Sequence, residues 1–108
     1  MAKFTLQDLE KRIQERAKAG ADVSYTRKLL DKGIEHSAKK MGEEAIETVI
    51  AATSENRERL VAESGDLLYH LLILLHARGI TLAEVEEALC ARQGMSGLEE
   101  KSSRPQGS

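Results

Sequence analysis

Two long helical stretches joined by a very short connection constrain this chain more than any other feature. From about Glu35 to Ala52, apolar residues recur at helical spacing: Ala38, Met41, Ala45, Ile46, Val49 and Ile50. Ser54, Glu55 and Asn56 then form a turn and cap. A second helix is expected from about Arg57 to Arg78, stopped by Gly79. At ~1.5 Å per residue it is expected to be the longest element, roughly 33 Å. So short a joint makes the two helices pack antiparallel. The seam between them is acidic. Glu43, Glu44 and Glu47 lie on the first helix, and Glu63 and Asp66 on the second. Residues three and four apart share a helix face, so four or five carboxylates are expected to converge. Unpaired beside apolar walls, that much negative charge is costly. Oxygen-only donors, with no Cys or His among them, point to a hard divalent cation, Mg²⁺ or Mn²⁺.

The rest of the chain is helical by the same criteria. Thr5 caps a first helix, with Asp8 at the capping-box position. Its stripe is Leu6, Leu9, Ile13 and Ala17, and Gly20 ends it. Ser24 starts a short second segment that Gly33 closes. Thr81 and Glu84 form a capping box for a fifth helix reaching about Gln93. No strand-like alternation and no internal repeat are present. The expected fold is therefore all-α, about five helices in an antiparallel bundle. Residues 1–94 are read as one domain. Residues 95–108 hold the only proline and few apolar side chains, and are read as a disordered tail.

Composition narrows the class. Hydrophobic residues are 41% of the 108, but aromatics only 3%, so burial must come from aliphatic side chains. A net charge of −2 supplies no general attraction to nucleic acid or to anionic membrane. The single cysteine, Cys90, excludes an internal disulfide and fits a reducing cytoplasm. Its helical neighbours suggest a small buried core residue. No secretory leader pattern is read, and the apolar run Leu67–Leu75 falls short of the ~20 residues needed to span a bilayer. That run is apolar nearly all the way round, which a chain of this size does not easily cover alone. A symmetric homodimer, or a multiple of it, is the simplest solution.

The acidic seam has competing explanations. A solvated acidic face is usual in a chain that is 31% charged. Against it, Glu47 is followed by Thr48, Val49, Ile50 and Ala51, with no basic partner, and Asp66 directly precedes the most apolar run. A di-iron or di-manganese bundle wants Glu-x-x-His motifs, whereas this chain offers Glu-x-x-Glu and Glu-x-x-Asp, so it ranks below a Mg²⁺ site.

Glu-Glu-x-x-Glu at 43–47 followed by Glu63-x-x-Asp66 resembles the signature of the all-α nucleoside triphosphate pyrophosphohydrolases, the MazG-like superfamily. Within it the chain is similar to the phosphoribosyl-ATP pyrophosphohydrolase family of histidine biosynthesis. The narrowing residues are Ser24-Tyr25-Thr26, Lys28-Leu29-Leu30 and Lys32-Gly33; Lys40-x-Gly42 and Asp66-Leu67-Leu68-Tyr69-His70 also follow that family's pattern. The resemblance runs over about residues 5–93. Two positions depart from the family pattern, which commonly has Pro and Lys where this chain has Ile34 and His36.

The resemblance implies hydrolysis of phosphoribosyl-ATP, a small-molecule nucleotide, to phosphoribosyl-AMP and pyrophosphate in the cytoplasm. It implies Mg²⁺, or Mn²⁺, on Glu44, Glu47, Glu63 and Asp66, reversing the local charge so that phosphate oxygens can approach. Glu43 or Glu47 is the implied general base. Lys40, one turn before Glu44, is the first choice to hold the phosphates. Lys28, Lys32 or His36 are the choices for the second, ribose-borne phosphate. His70 reads equally as a substrate neighbour or a satisfied core histidine, and Tyr69 as packing with its hydroxyl near a polar group. Two other functions remain open at this stage: a house-cleaning pyrophosphatase for non-standard nucleotides, and a non-catalytic helical dimer.

Overall fold

The computed structural model describes residues 3–94, and these form five α-helices with no strand among them. They are α1 (Leu6–Ala17), α2 (Tyr25–Asp31), α3 (Ile34–Ser54), α4 (Arg57–Ala77) and α5 (Leu82–Gln93). The expected all-α architecture is what is found. The tail expected at 95–108 lies outside the described residues. α3 and α4 are equally long at 21 residues, so the fourth helix is not the single longest element.

Each start has a local chemical cause. Thr5 and Asp8 exchange side chain-to-backbone hydrogen bonds across the first turn of α1. Ser24 Oγ accepts from the Arg27 amide at 3.0 Å and donates to the Arg16 carbonyl at 2.9 Å, so one hydroxyl starts α2 and ties it to the end of α1. Gly33 precedes α3 with φ of 94°, a left-handed conformation that suits glycine. Asn56 accepts from the Arg59 amide at 2.9 Å and starts α4 only two residues after α3 ends. Gly79, at φ 71°, turns the chain out of α4 while the Ile80 amide returns to the Leu75 carbonyl at 2.9 Å. Thr81 and Glu84 then close the capping box of α5.

The hydrophobic core sits at one end of the long hairpin. Ile13 of α1, Leu29 of α2, Leu72 and Ile73 of α4 and Leu82 of α5 are buried together, with Leu9, Leu30, Tyr69 and Leu75 packed around them. Full burial of Ile13 and Ile73 contributes about 2 kcal/mol each. The second half of α3 and the first half of α4 extend beyond this core and pack mainly on each other. There the outward face is apolar but uncovered: Ile46, Val49 and Ile50 of α3 and Val61 of α4 are 48–64% exposed. The Leu67–Leu75 run is instead largely covered within the chain, with Leu72 and Ile73 buried and Leu68 39% exposed.

Two expectations need correction. Cys90 is exposed, not a core residue, because α5 is anchored only by its N-terminal Leu82 and leaves its later turns in solvent. The apolar run Leu67–Leu75, interrupted by Tyr69 and His70, is only part of α4. By length and composition the whole of α4 is long and apolar enough to cross a bilayer. The core helix of a soluble bundle passes the same test, and α4 buries Glu63, His70, Leu72 and Ile73 against its neighbours.

Candidate metal centre

The acidic site lies where α3 and α4 leave the core. Thr48 fixes the register of the two helices. Its hydroxyl donates to the Glu44 carbonyl at 2.8 Å within α3 and lies 3.2 Å from the Glu63 carbonyl across the seam. With that register set, Glu44 of α3 faces Glu63 and Asp66 of α4. One carboxylate oxygen from each of the three lies within 4.8 Å of the other two.

Burial makes this cluster more than a charged surface. Glu63 is 5% exposed and Glu44 9%, while Asp66 opens to solvent. Glu44 Oε2 and Glu63 Oε2 are buried without a hydrogen-bond partner. Two orphaned carboxylate oxygens side by side are expensive unless something cationic completes them. Three oxygen donors with no thiolate or imidazole among them suit a hard divalent ion, so the cluster is compatible with such a cofactor.

Protein cations partly answer the charge already. Arg59, one turn before Glu63 on α4, places Nη2 2.7 Å from Glu63 Oε1, and its Nε lies 3.9 Å from Glu55. Arg59 was not among the residues picked out by sequence, although its spacing of four from Glu63 is the signal that finds it. Glu47 is exposed and does not join the three clustered acids. It lines the adjoining cleft of about 220 Å³ together with Ile50, Glu55, Arg59 and Glu63. Glu43 points elsewhere, with Lys40 Nζ 3.8 Å from its Oε1.

The other candidates divide by helix face. His36, Lys40 and Glu44 recur every four residues on α3, and the first two are half-buried. Both lie close enough to bias His70 of α4. The imidazole of His70 is held below its usual pKa, first by burial and then by the positive charge of Lys40, against an upward pull from Asp66 and with a smaller downward push from His36. His70 is 7% exposed, and its Nε2 is 3.9 Å from Glu44 Oε1, so it is a buried histidine standing behind the acidic cluster. Tyr69 donates or accepts a 2.9 Å hydrogen bond with Thr26 Oγ1 and meets the His70 ring edge-on at 5.1 Å. Lys28 and Lys32 are exposed, the first on α2 and the second at its C-cap.

The profile of a family described as phosphoribosyl-ATP pyrophosphohydrolase matches residues 6–93, all five helices. A Bradyrhizobium diazoefficiens protein named phosphoribosyl-ATP pyrophosphatase 1 is 64% identical over 96% of this chain and 98% of its own length. Proteins of Rhodopseudomonas palustris and Nitrobacter hamburgensis, named phosphoribosyl-ATP pyrophosphatase 1 and phosphoribosyl-ATP pyrophosphatase, are each 58% identical over 96% of this chain and 97% of theirs. On its sequence over essentially its whole folded length, this chain belongs to the phosphoribosyl-ATP pyrophosphohydrolase family.

Proposed function

We propose that this chain is a Mg²⁺-dependent enzyme of histidine biosynthesis that hydrolyses phosphoribosyl-ATP, the substrate for which its relatives are named, to phosphoribosyl-AMP and pyrophosphate. The observation that carries the site is the pair of orphaned, buried oxygens on Glu44 and Glu63, beside Asp66. These three would hold the cation, with Glu47 available from the adjoining cleft as a fourth ligand. When bound, Mg²⁺ supplies positive charge to the phosphate oxygens and acidity to a water.

The chain's own groups do the rest. Glu47 and Glu63 line one cleft, so Glu47 is the better placed of the two candidate bases to take a proton from water there; Glu43 is engaged by Lys40. Lys40 and His36 line the same side of α3 as Glu44 and supply donors toward phosphate oxygens entering beside the acids. Thr48 holds the two acidic helices in register, and the buried His70 packs behind Glu44. The protein is read as a soluble cytoplasmic homodimer, with the uncovered strip of Ile46, Val49, Ile50, Val61 and Leu68 as the face that meets a second copy.

A substrate panel tests the activity. Phosphoribosyl-ATP, ATP, dUTP and dCTP are incubated with and without Mg²⁺, and pyrophosphate release is measured. Release from phosphoribosyl-ATP only with the metal present is expected. Hydrolysis of dUTP or dCTP, with none of phosphoribosyl-ATP, would replace this reading with the house-cleaning one.

A further inference from the structure

A separate cavity of about 320 Å³ opens between α1, the start of α2 and α4, lined by Arg12, Arg16, Val23, Tyr25, Thr26 and Tyr69. No carboxylate is among its lining residues. Arg12 and Arg16 are four apart on α1 and share a face. Like charges at that spacing are mildly destabilising and want an anion. Among the described residues, neither guanidinium has an ion-pair partner; Arg12 only rests over the Phe4 ring, 5.7 Å from its centroid. Tyr25 is 57% exposed at the mouth, and the Tyr69–Thr26 hydroxyl pair forms the wall.

This cavity adjoins the acidic cluster. Tyr69 follows Asp66 by three residues on α4, less than one turn or about 5 Å along the axis. Tyr69 touches His70, and His70 stands against Glu44. A molecule that places a triphosphate beside Asp66 and carries a second, remote phosphate beyond its base therefore meets acids and guanidiniums on neighbouring parts of the fold, with Asp66 and Tyr69 within one turn of α4.

We infer that Arg12 and Arg16 form a metal-independent subsite for a ribose-borne phosphomonoester, with Tyr25 and Tyr69 flanking the sugar. The inference rests on the proposed substrate and refines it, moving recognition of the second phosphate from Lys28, Lys32 or His36 to α1. Guanidiniums suit the task because their planar fork binds two phosphate oxygens at once. The division of labour is also physically sensible. The reacting phosphates need charge supplied by a cation, whereas the remote one meets permanent protein charge and anchors the substrate without taking part in bond cleavage.

The test uses ribose 5-phosphate, with ribose as the uncharged control, titrated into the full-length protein in EDTA and followed by amide and side-chain NMR shifts. Saturable binding of ribose 5-phosphate but not ribose is expected, with shifts at Tyr25, Thr26 and Tyr69. Affinity should fall by about tenfold or more in R12Q/R16Q, the scale for losing charge-assisted hydrogen bonds. In turnover, the same variant should raise KM for phosphoribosyl-ATP by more than it lowers kcat. Unchanged binding in R12Q/R16Q, or loss in K28Q/K32Q instead, would overturn the subsite. Neither substitution removes a described side-chain ion pair or hydrogen bond of Arg12 or Arg16, so the fold should persist. Failure of the subsite stays distinct from failure of the functional reading, which shows as absent phosphoribosyl-ATP turnover by the unsubstituted protein.

Discussion

Arg59 Nη2 lies 2.7 Å from Glu63 Oε1, so a protein cation already occupies one oxygen of the most buried acid in the cluster. The arginine is 54% exposed at its side chain and the glutamate 7%, so the pair straddles the site's edge. The arginine thus balances Glu63 and would compete with a metal placed on the same carboxylate. Replacing Arg59 with Gln should lower the melting temperature in EDTA. It should also tighten Mg²⁺ binding by about fivefold, the scale of a partly screened ion pair of about 1 kcal/mol. Calorimetric titration with Mg²⁺ reads the second effect directly. Weaker metal binding in R59Q would mean that the arginine orients Glu63 for the metal instead of competing with it.

Glu44 and Glu63 each bury an oxygen with no partner, a destabilising arrangement until a cation arrives. Glu44→Gln removes one of the two negative charges while keeping the shape. In EDTA this variant should melt higher than the parent, at about 4–8 °C per kcal/mol of relief for a domain of this size. With Mg²⁺ the order should invert, because the parent gains stability from ligand binding and the variant loses most of that gain. Parallel melting curves with and without Mg²⁺ check both halves. An E44Q protein that still gains the full metal-induced shift would remove Glu44 from the ligand set.

The starts of α1, α4 and α5 and the pairing of α3 with α4 were legible because each depends on local chemistry: Thr5 with Asp8, Asn56, Thr81 with Glu84, and a two-residue joint; the end of α1, expected at Gly20, falls earlier, at Ala17 with Lys18 as C-cap. The facing of Glu44 with Glu63 and Asp66 followed from helical spacing plus that joint. What sequence could not supply is which side of each helix the core occupies. Ile46, Val49 and Ile50 have helical spacing like Ile13 and Ala17, yet only the latter are buried, because α1 and α2 cover one end of the hairpin and nothing described covers the other. Cys90 was misplaced for the same reason: periodicity does not reveal that α5 docks by its first residue alone. Arg12 and Arg16 were passed over because their surroundings, Tyr25, Thr26 and Tyr69, come from three separate parts of the chain.

The Leu82 amide donates to Glu10 Oε2 at 2.7 Å, joining α1 to the first turn of α5 across 72 residues. This carboxylate also lies favourably at the positive end of the helix dipole. Glu10→Ala should cost about 1.5–3 kcal/mol, the range for hydrogen bonds to charged groups. The loss should be local. Hydrogen exchange should accelerate at the first amides of α5 while α3 and α4 keep their protection. Uniform acceleration across all five helices would show that this contact supports the whole bundle, and no change would show it to be dispensable.

The uncovered apolar strip supplies the last prediction. Thr48 of α3 stands opposite Glu63 of α4. Ile46 and Ile50 lie two residues either side of Thr48, and Val61 two before Glu63, roughly 200° round their helices from the seam, so all three point outward from the hairpin. Space beside Gly65 is open, with no atom within 4 Å of where a Cβ would sit. Ile46, Val49 and Ile50 of α3 and Val61 and Leu68 of α4 are thus outward-facing apolar side chains, 39–64% exposed. At 108 residues, with seven buried apolar side chains among those described, the isolated chain has a small core to offset the entropy of ordering it. A second copy laid on the strip, hairpin against hairpin, enlarges that core and keeps Asp66 open to solvent. Light scattering at micromolar concentration should give about twice the 11.9 kDa mass of the chain. Val49→Asp places a charge at the strip's centre and should shift the protein toward monomer and lower its melting temperature. Arg78→Asp, exposed at the far end of α4, should change neither. A stable monomer in the unsubstituted protein would leave the strip without this partner.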